Sequence, residues 1–145
     1  MSYQSESSFK QALLRVMRSH GLMCTCVETG KTSQGVPDVF VMGRGGDIWI
    51  ELKNEPERTL QDKEVLKVDW RPGQQAWMWH YFLAHNTNKC CLTIVALKDS
   101  FGIITMSNAV LFEQNMVPKG SIIEVQSLGE IAKVVGESCK FYAHT

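Results

Sequence analysis

The segment from Gly35 to Lys53 leaves the chain few ways to fold. Val39, Phe40, Val41 and Met42 form an apolar run between Pro37 and Gly43, and further on Ile48, Ile50 and Leu52 alternate with Trp49, Glu51 and Lys53. An apolar run followed, across Gly43, Gly45 and Gly46, by a period-2 pattern predicts two strands joined by a glycine-rich turn. Side chains two residues apart on a strand share a face and stand roughly 6.5 Å apart. Glu51 and Lys53 therefore flank one small site, and Asp38, at the head of the first strand, joins them when the strands pair as a hairpin.

Two carboxylates meeting at a point suit a hard divalent cation such as Mg²⁺ or Mn²⁺, which binds oxygen and keeps waters that a phosphate can displace. A lysine beside them can orient or help deprotonate an attacking water, or stabilise charge that develops at phosphorus. The plain alternative is an edge hairpin with a surface Glu/Lys pair.

Pro37-Asp38 followed by Glu51-Leu52-Lys53 resembles the two motif halves of the PD-(D/E)xK nuclease superfamily. The resemblance implies a restriction-endonuclease-like α/β (α+β) fold, a central mixed sheet flanked by helices in the order αβββαβ. It makes Asp38 and Glu51 metal ligands and Lys53 the group that helps activate water. Upstream, residues 5 to 19 place Phe9, Ala12, Leu13, Val16 and Met17 at helical spacing before Gly21, an amphipathic helix with its stop. Glu6 lies one turn before Phe9 on that stripe, where a superfamily helix often contributes a third metal ligand; a first-turn acid favoured by the helix dipole is the alternative. Downstream, Pro72 is suited to open a helix, and Gln74 to His85 carries Trp77, Met78, Tyr81 and Phe82 on one face. Arg71-Pro72, Gln74 and Trp77 resemble the glutamine motif of virus-type replication-repair (VRR-NUC) nucleases. That implies Gln74 close to the active site, or Gln75 if the helix is rotated by one residue.

The rest of the chain is less specific. Leu22 to Glu28 reads as a strand, and Thr29 to Gly35 as a polar loop that brings Lys31, Thr32 and Ser33 near the site, where Lys31 and Ser33 are candidates to touch a phosphate. Asn54 to Arg71 mixes acids and bases around Pro56 and reads as an exposed connection. Its Arg58 and Arg71, with Lys63 and Lys67, are candidates for substrate contact, although the interspersed Glu55, Glu57, Asp62, Glu64 and Asp69 fit a solvated loop equally well. Cys91–Leu97 and Gly102–Met106 read as a hairpin, Ala109–Phe112 as a short helix, and Ile122–Val125 as a strand. A helix over Leu128–Val135 follows the capping-box spacing of Ser127 and Glu130. Trp79 and Leu83 leave the Trp77/Tyr81 stripe, and a helix apolar on two faces needs two partners. One is the sheet; the other is the C-terminal helix or a second subunit, at a seam that would include Trp70.

At 145 residues, 44% of them hydrophobic and 21% charged, the chain predicts one domain over 1–145, with a motif-bearing core over about 5–106 and an extension over 107–145. Fifteen basic and fifteen acidic residues give a formal charge of zero, so no overall basic excess announces a nucleic-acid partner. With no long apolar span and no leader, the expected location is the cytoplasm, a host's if the gene is viral. Five scattered cysteines and four dispersed histidines lack ligand spacing, against a disulfide framework or a zinc site.

The thirteen-residue step from Asp38 to Glu51 and the downstream glutamine look most like stand-alone VRR-NUC domains and archaeal-type Holliday-junction resolvases. Such small proteins are often phage-encoded and dimeric. The resemblance therefore implies a metal-dependent DNA endonuclease, selective for branched DNA or nicking it, that works as a homodimer. A DNA-binding module that cleaves nothing, or a protein-interaction module on the same fold, is the rival class.

Overall fold

The computed structural model describes residues 3–27, 35–43, 46–60, 64–85, 91–105 and 112–141. Helix α1, Glu6–Ser19, opens on a reciprocal cap: the Ser5 hydroxyl accepts from the Ser8 N–H, and the Ser8 hydroxyl accepts from the Ser5 N–H. Phe9, Leu13 and Met17 are buried as the helical spacing predicts, and Leu14 joins them. Gly21, at a left-handed φ of 83°, turns the chain out of the helix, a conformation that suits glycine because it has no Cβ to clash.

Strands β1 (Met23–Cys26), β2 (Val39–Met42) and β3 (Asp47–Asn54) form an antiparallel meander in which Val39 pairs with Ile50 and Val41 with Ile48. Helix α2 (Gln74–His85) precedes β5 (Cys91–Ala96), which lies parallel to β3. β5 then turns antiparallel into β6 (Phe101–Thr105), and β8 (Ile123–Val125) closes a six-stranded mixed sheet of order β1-β2-β3-β5-β6-β8. The mixed α/β architecture expected from the sequence is present.

Strand alternation divides the interior into two cores. Ile48, Ile50 and Leu52 point to the layer formed by α1 and α3 (Leu128–Phe141), where Phe9, Leu13, Met17, Ile131 and Val135 meet them. Trp49 points the other way, toward Met78 of α2 and a second cluster with Val95 and Ile104. β5, buried at each of its six positions, has cover on both faces, as the parallel centre of a mixed sheet requires. The C-terminal residues thus complete the sheet and its first helical layer, with β8 paired to β6 and α3 packed with α1.

Two expectations are corrected. The connection after Lys53 is not merely exposed: β4 (Val65–Lys67) pairs antiparallel with β7 (Met116–Pro118), and Leu60, Leu66, Val68 and Trp70 are buried in the second core. Leu66, Val68 and Trp70 alternate with outward Lys67 and Asp69, so the charges hid a period-2 strand pattern. Trp70, 4% exposed, is therefore no part of an external seam. Nor does the C-terminal helix cover the outer side of α2, since it packs beside α1 on the opposite face. Leu83 remains 53% exposed, and Trp79 stacks on Phe82 within α2 itself.

The short helix expected over Ala109–Phe112 falls largely outside the described residues; Phe112 leads into a single 3-10 turn, Glu113–Asn115. Among the described residues Cys24 and Cys26 are free thiols, and no helix is long and apolar enough to cross a membrane.

Candidate functional site

Three segments converge at one end of the β2–β3 hairpin. The chain enters β2 through Gly35, whose φ is 88° and whose absent Cβ would lie 2.4 Å from the Gly73 carbonyl oxygen. That contact seats the Pro37-Asp38 segment directly against the start of α2. β2–β3 pairing ends at Val39 and Ile50, and the Leu52 N–H just beyond donates to Asp38 Oδ2 at 3.0 Å. Asp38 is thereby pinned to the strand that carries Glu51 and Lys53.

Glu6 arrives from the first turn of α1. The next residue of β3 helps to hold it there: Asn54 Nδ2 donates to the Tyr3 carbonyl at 2.9 Å, and the Tyr3 ring packs on Phe9 and Phe101. Carboxylate oxygens of Glu6, Asp38 and Glu51 all lie within 4.8 Å of one another.

Beneath them is a buried polar triangle. Lys53 Nζ stands 3.2 Å from Glu51 Oε2 and donates to Gln74 Oε1 at 2.9 Å, while Gln74 Nε2 donates to the same Glu51 Oε2 at 2.9 Å. The Arg71 N–H adds a 2.8 Å bond to Gln74 Oε1. Glu51 and Lys53 are only 1% and 5% exposed, so each needs a partner of opposite charge. Glu51 Oε2 is fully engaged, yet Glu51 Oε1 is buried without a hydrogen-bond partner.

The electrostatics follow from this crowding. Burial pushes the Glu51 carboxyl up to about 7; the nearby Asp38 and Glu6 charges add to the rise, and Lys53 opposes it by charge and hydrogen bond. Glu6 is exposed as a residue, but its carboxyl end is partly covered where it leans toward the others. That covering raises its pKa, with Asp38 and Asp69 adding to the effect and Lys53 and Arg71 opposing it. Three mutually repelling carboxylates with one unpartnered buried oxygen fit an oxygen-ligated divalent cation, whose charge would relieve both the repulsion and the desolvation. Glu6, Asp38 and Glu51 are the residues that would hold it.

Other expected site residues lie elsewhere. The Arg58 guanidinium faces Glu55 Oε2 at 3.4 Å and the Lys67 carbonyl at 3.2 Å, bracing the connection rather than facing the acids. Arg71 is exposed, and its charge reaches Glu6. Gln75, the alternative to Gln74, turns away to Asn115 and Phe112. Lys31 and Ser33 lie outside the described residues. Asn54 and the Arg71 N–H escaped sequence reasoning, because a tether to a backbone carbonyl or a main-chain donor leaves no residue pattern to detect.

No protein-family model matches the sequence, and no curated protein is similar to it. The fold does have a solved counterpart. It is similar to Archaeoglobus fulgidus Hjc, a Holliday junction resolvase from an archaeal hyperthermophile, with a TM-score of 0.61, 14% sequence identity, and coverage of 87% of this chain and 98% of that one. At such identity the likeness establishes a shared fold.

Proposed function

We propose that this protein is a divalent-metal-dependent endonuclease that hydrolyses phosphodiester bonds in branched DNA. The observation that carries the reading is Glu51: buried, with one oxygen tied to Lys53 and Gln74 and the other unpartnered beside Asp38 and Glu6. An isolated surface Glu/Lys pair would have no such environment, since surface pairs satisfy their oxygens in water. A bound Mg²⁺ or Mn²⁺ would polarise the scissile phosphate and offset the charge of the transition state.

The chain's own groups do the rest. Asp38, Glu51 and Glu6 provide oxygen ligands. Lys53 uses two of its three donors on Glu51 and Gln74, leaving one for the attacking water or a phosphate oxygen. Gln74 holds that ammonium in place, because its oxygen accepts from Lys53 and its nitrogen donates to Glu51. Water attacks phosphorus and loses its proton to surrounding solvent, the bond to the 3′ oxygen breaks with that oxygen taking a proton from solvent, and the donating Lys53 ammonium would orient the nucleophile and stabilise the hydroxide as it develops. Arg71, exposed at the rim, is the described cation best placed to meet a phosphate.

The fold shared with a Holliday junction resolvase supports branched DNA as the substrate class. A zero net charge counts the other way: without a broad basic surface, the grip on DNA must come from local clusters of cations. Paired incisions at a branch need two sites related by symmetry, so we place a second copy against the outer side of α2, which carries exposed Leu83 and no Asp, Glu, Lys or Arg.

Cleavage of labelled four-way junction, splayed arm, single strand and linear duplex in Mn²⁺ tests the reading. Preferential incision of branched substrates, abolished by chelation, is expected. Binding to DNA with no incision of any substrate would instead identify a non-cleaving module, and no binding at all an interaction protein.

A further inference from the structure

We propose that the turn Phe112–Asn115 is a positioning device for the candidate site and that Asn115 is its positioning residue, acting through Gln74. Only the effect on cleavage rests on the nuclease reading; the geometry stands apart from it.

Gln114 and Asn115 both adopt left-handed backbone conformations, with φ of 54° and 61°. A residue with a Cβ adopts this conformation at a cost, smaller for Asn than for Gln, and keeps it only where surrounding contacts hold it. Asn115 makes those contacts with nearly all its polar groups. Its Nδ2 donates to the Trp70 carbonyl at 3.1 Å, its Oδ1 accepts from Gln75 Nε2 at 2.9 Å, and its carbonyl accepts from the Val68 N–H at 2.9 Å. Phe112 completes the clamp: its N–H donates to Gln75 Oε1 at 2.8 Å and its ring stacks on Trp70 at 6.0 Å and 4°.

Trp70 and Gln75 bracket the Arg71–Gln74 turn, so the clamp grips that turn from both ends. Within it the Arg71 N–H points at Gln74 Oε1. That oxygen also receives the Lys53 ammonium, and neither Arg71 N–H nor Lys53 can accept. The Gln74 amide therefore has one permitted orientation, oxygen toward the two donors and nitrogen toward Glu51 Oε2. Asn115 touches neither the acids nor Lys53. It fixes the backbone donor that fixes the amide that holds both Glu51 and Lys53.

Asn115→Gly separates this role from simple support. Glycine keeps the left-handed backbone without strain and retains the carbonyl that receives the Val68 N–H, but it loses both side-chain bonds. We expect amide exchange at Arg71 to accelerate by up to about tenfold, with Val68 unchanged. Mn²⁺-dependent nicking should fall by about tenfold to a hundredfold, as when an outer partner of a metal site is removed. Added to Gln74→Ala, the same change should alter nicking by less than about twofold, because the two residues act in series. Gln75→Ala, which opens the clamp from the other side, should reproduce the Arg71 effect.

Unchanged exchange at Arg71 overturns the proposal. So does acceleration at Val68 in step with Arg71, which would mark a structural prop, or an equal fall in nicking with and without Gln74. If the wild type nicks nothing, the nuclease reading fails, and exchange at Arg71 alone decides the clamp.

Discussion

Glu51 is the residue whose charge this fold handles least comfortably. Its carboxyl titrates at about 7 in the fold against an ordinary 4.5, chiefly through burial. The folded value exceeds the unfolded one, so the protonated acid favours folding. In the metal-free protein that stabilisation is complete below about pH 4.5 and is lost as the pH rises through about 7, a change of about 3 kcal/mol. Denaturant titrations across that window should show wild type weakening relative to Glu51→Gln; parallel curves would contradict the burial of an unpartnered carboxylate. A cation must displace the Glu51 proton, so Mn²⁺ affinity should also fall as the pH drops below about 7. A separate role is expected of Lys53. Lys53→Ala should still bind Mn²⁺ in a calorimeter while nicking at least about a hundredfold more slowly, and loss of metal affinity as large as that of Asp38→Ala would show that Lys53 serves the ligands instead.

Elements were legible where periodicity was clean. The β2–β3 hairpin announces itself through Val39–Met42 and the alternation from Ile48 to Lys53, and α1 through Phe9, Leu13 and Met17. Those two elements carry all three carboxylates, so the acidic cluster could be anticipated from local pattern and family likeness. β4 could not: its inward Leu66, like Val68 and Trp70 just after it, sits among charges, and the partner that justifies it, with Val117 opposite Leu66, lies far along the chain. The share of the second core that Leu60, Leu66, Val68 and Trp70 supply was missed with it, as was the Asn115 clamp, which exists only once β7 is paired. Trp70 tests that core, because its indole N–H donates to buried Thr93 Oγ1 at 3.1 Å, and Thr93 is the β5 neighbour of Glu51. Trp70→Ala should cost about 3–5 kcal/mol in denaturant unfolding. Trp70→Phe should cost about 1 kcal/mol, mainly the lost hydrogen bond. A Trp70→Ala protein as stable as wild type would place the ring in solvent.

At the scale of the whole molecule the unusual feature is α2, a helix without Asp, Glu, Lys or Arg that has the sheet on one side and no described element across Leu83 on the other. Large apolar side chains left in water mark contact surfaces. Sedimentation should therefore find a dimer at micromolar concentration that Trp79→Glu converts to a folded monomer, one that nicks but makes no paired cuts. A monomeric wild type removes the symmetric arrangement without touching the chemistry of a single site. That chemistry is tested most directly by incubating supercoiled plasmid with Mn²⁺ and either wild type or Asp38→Ala. If the three converging carboxylates hold the metal, deleting one predicts conversion to nicked circles by wild type, none with chelator, and none by Asp38→Ala although it folds. Equal nicking by the two proteins, or none by wild type, would contradict a metal-dependent nuclease built on this cluster.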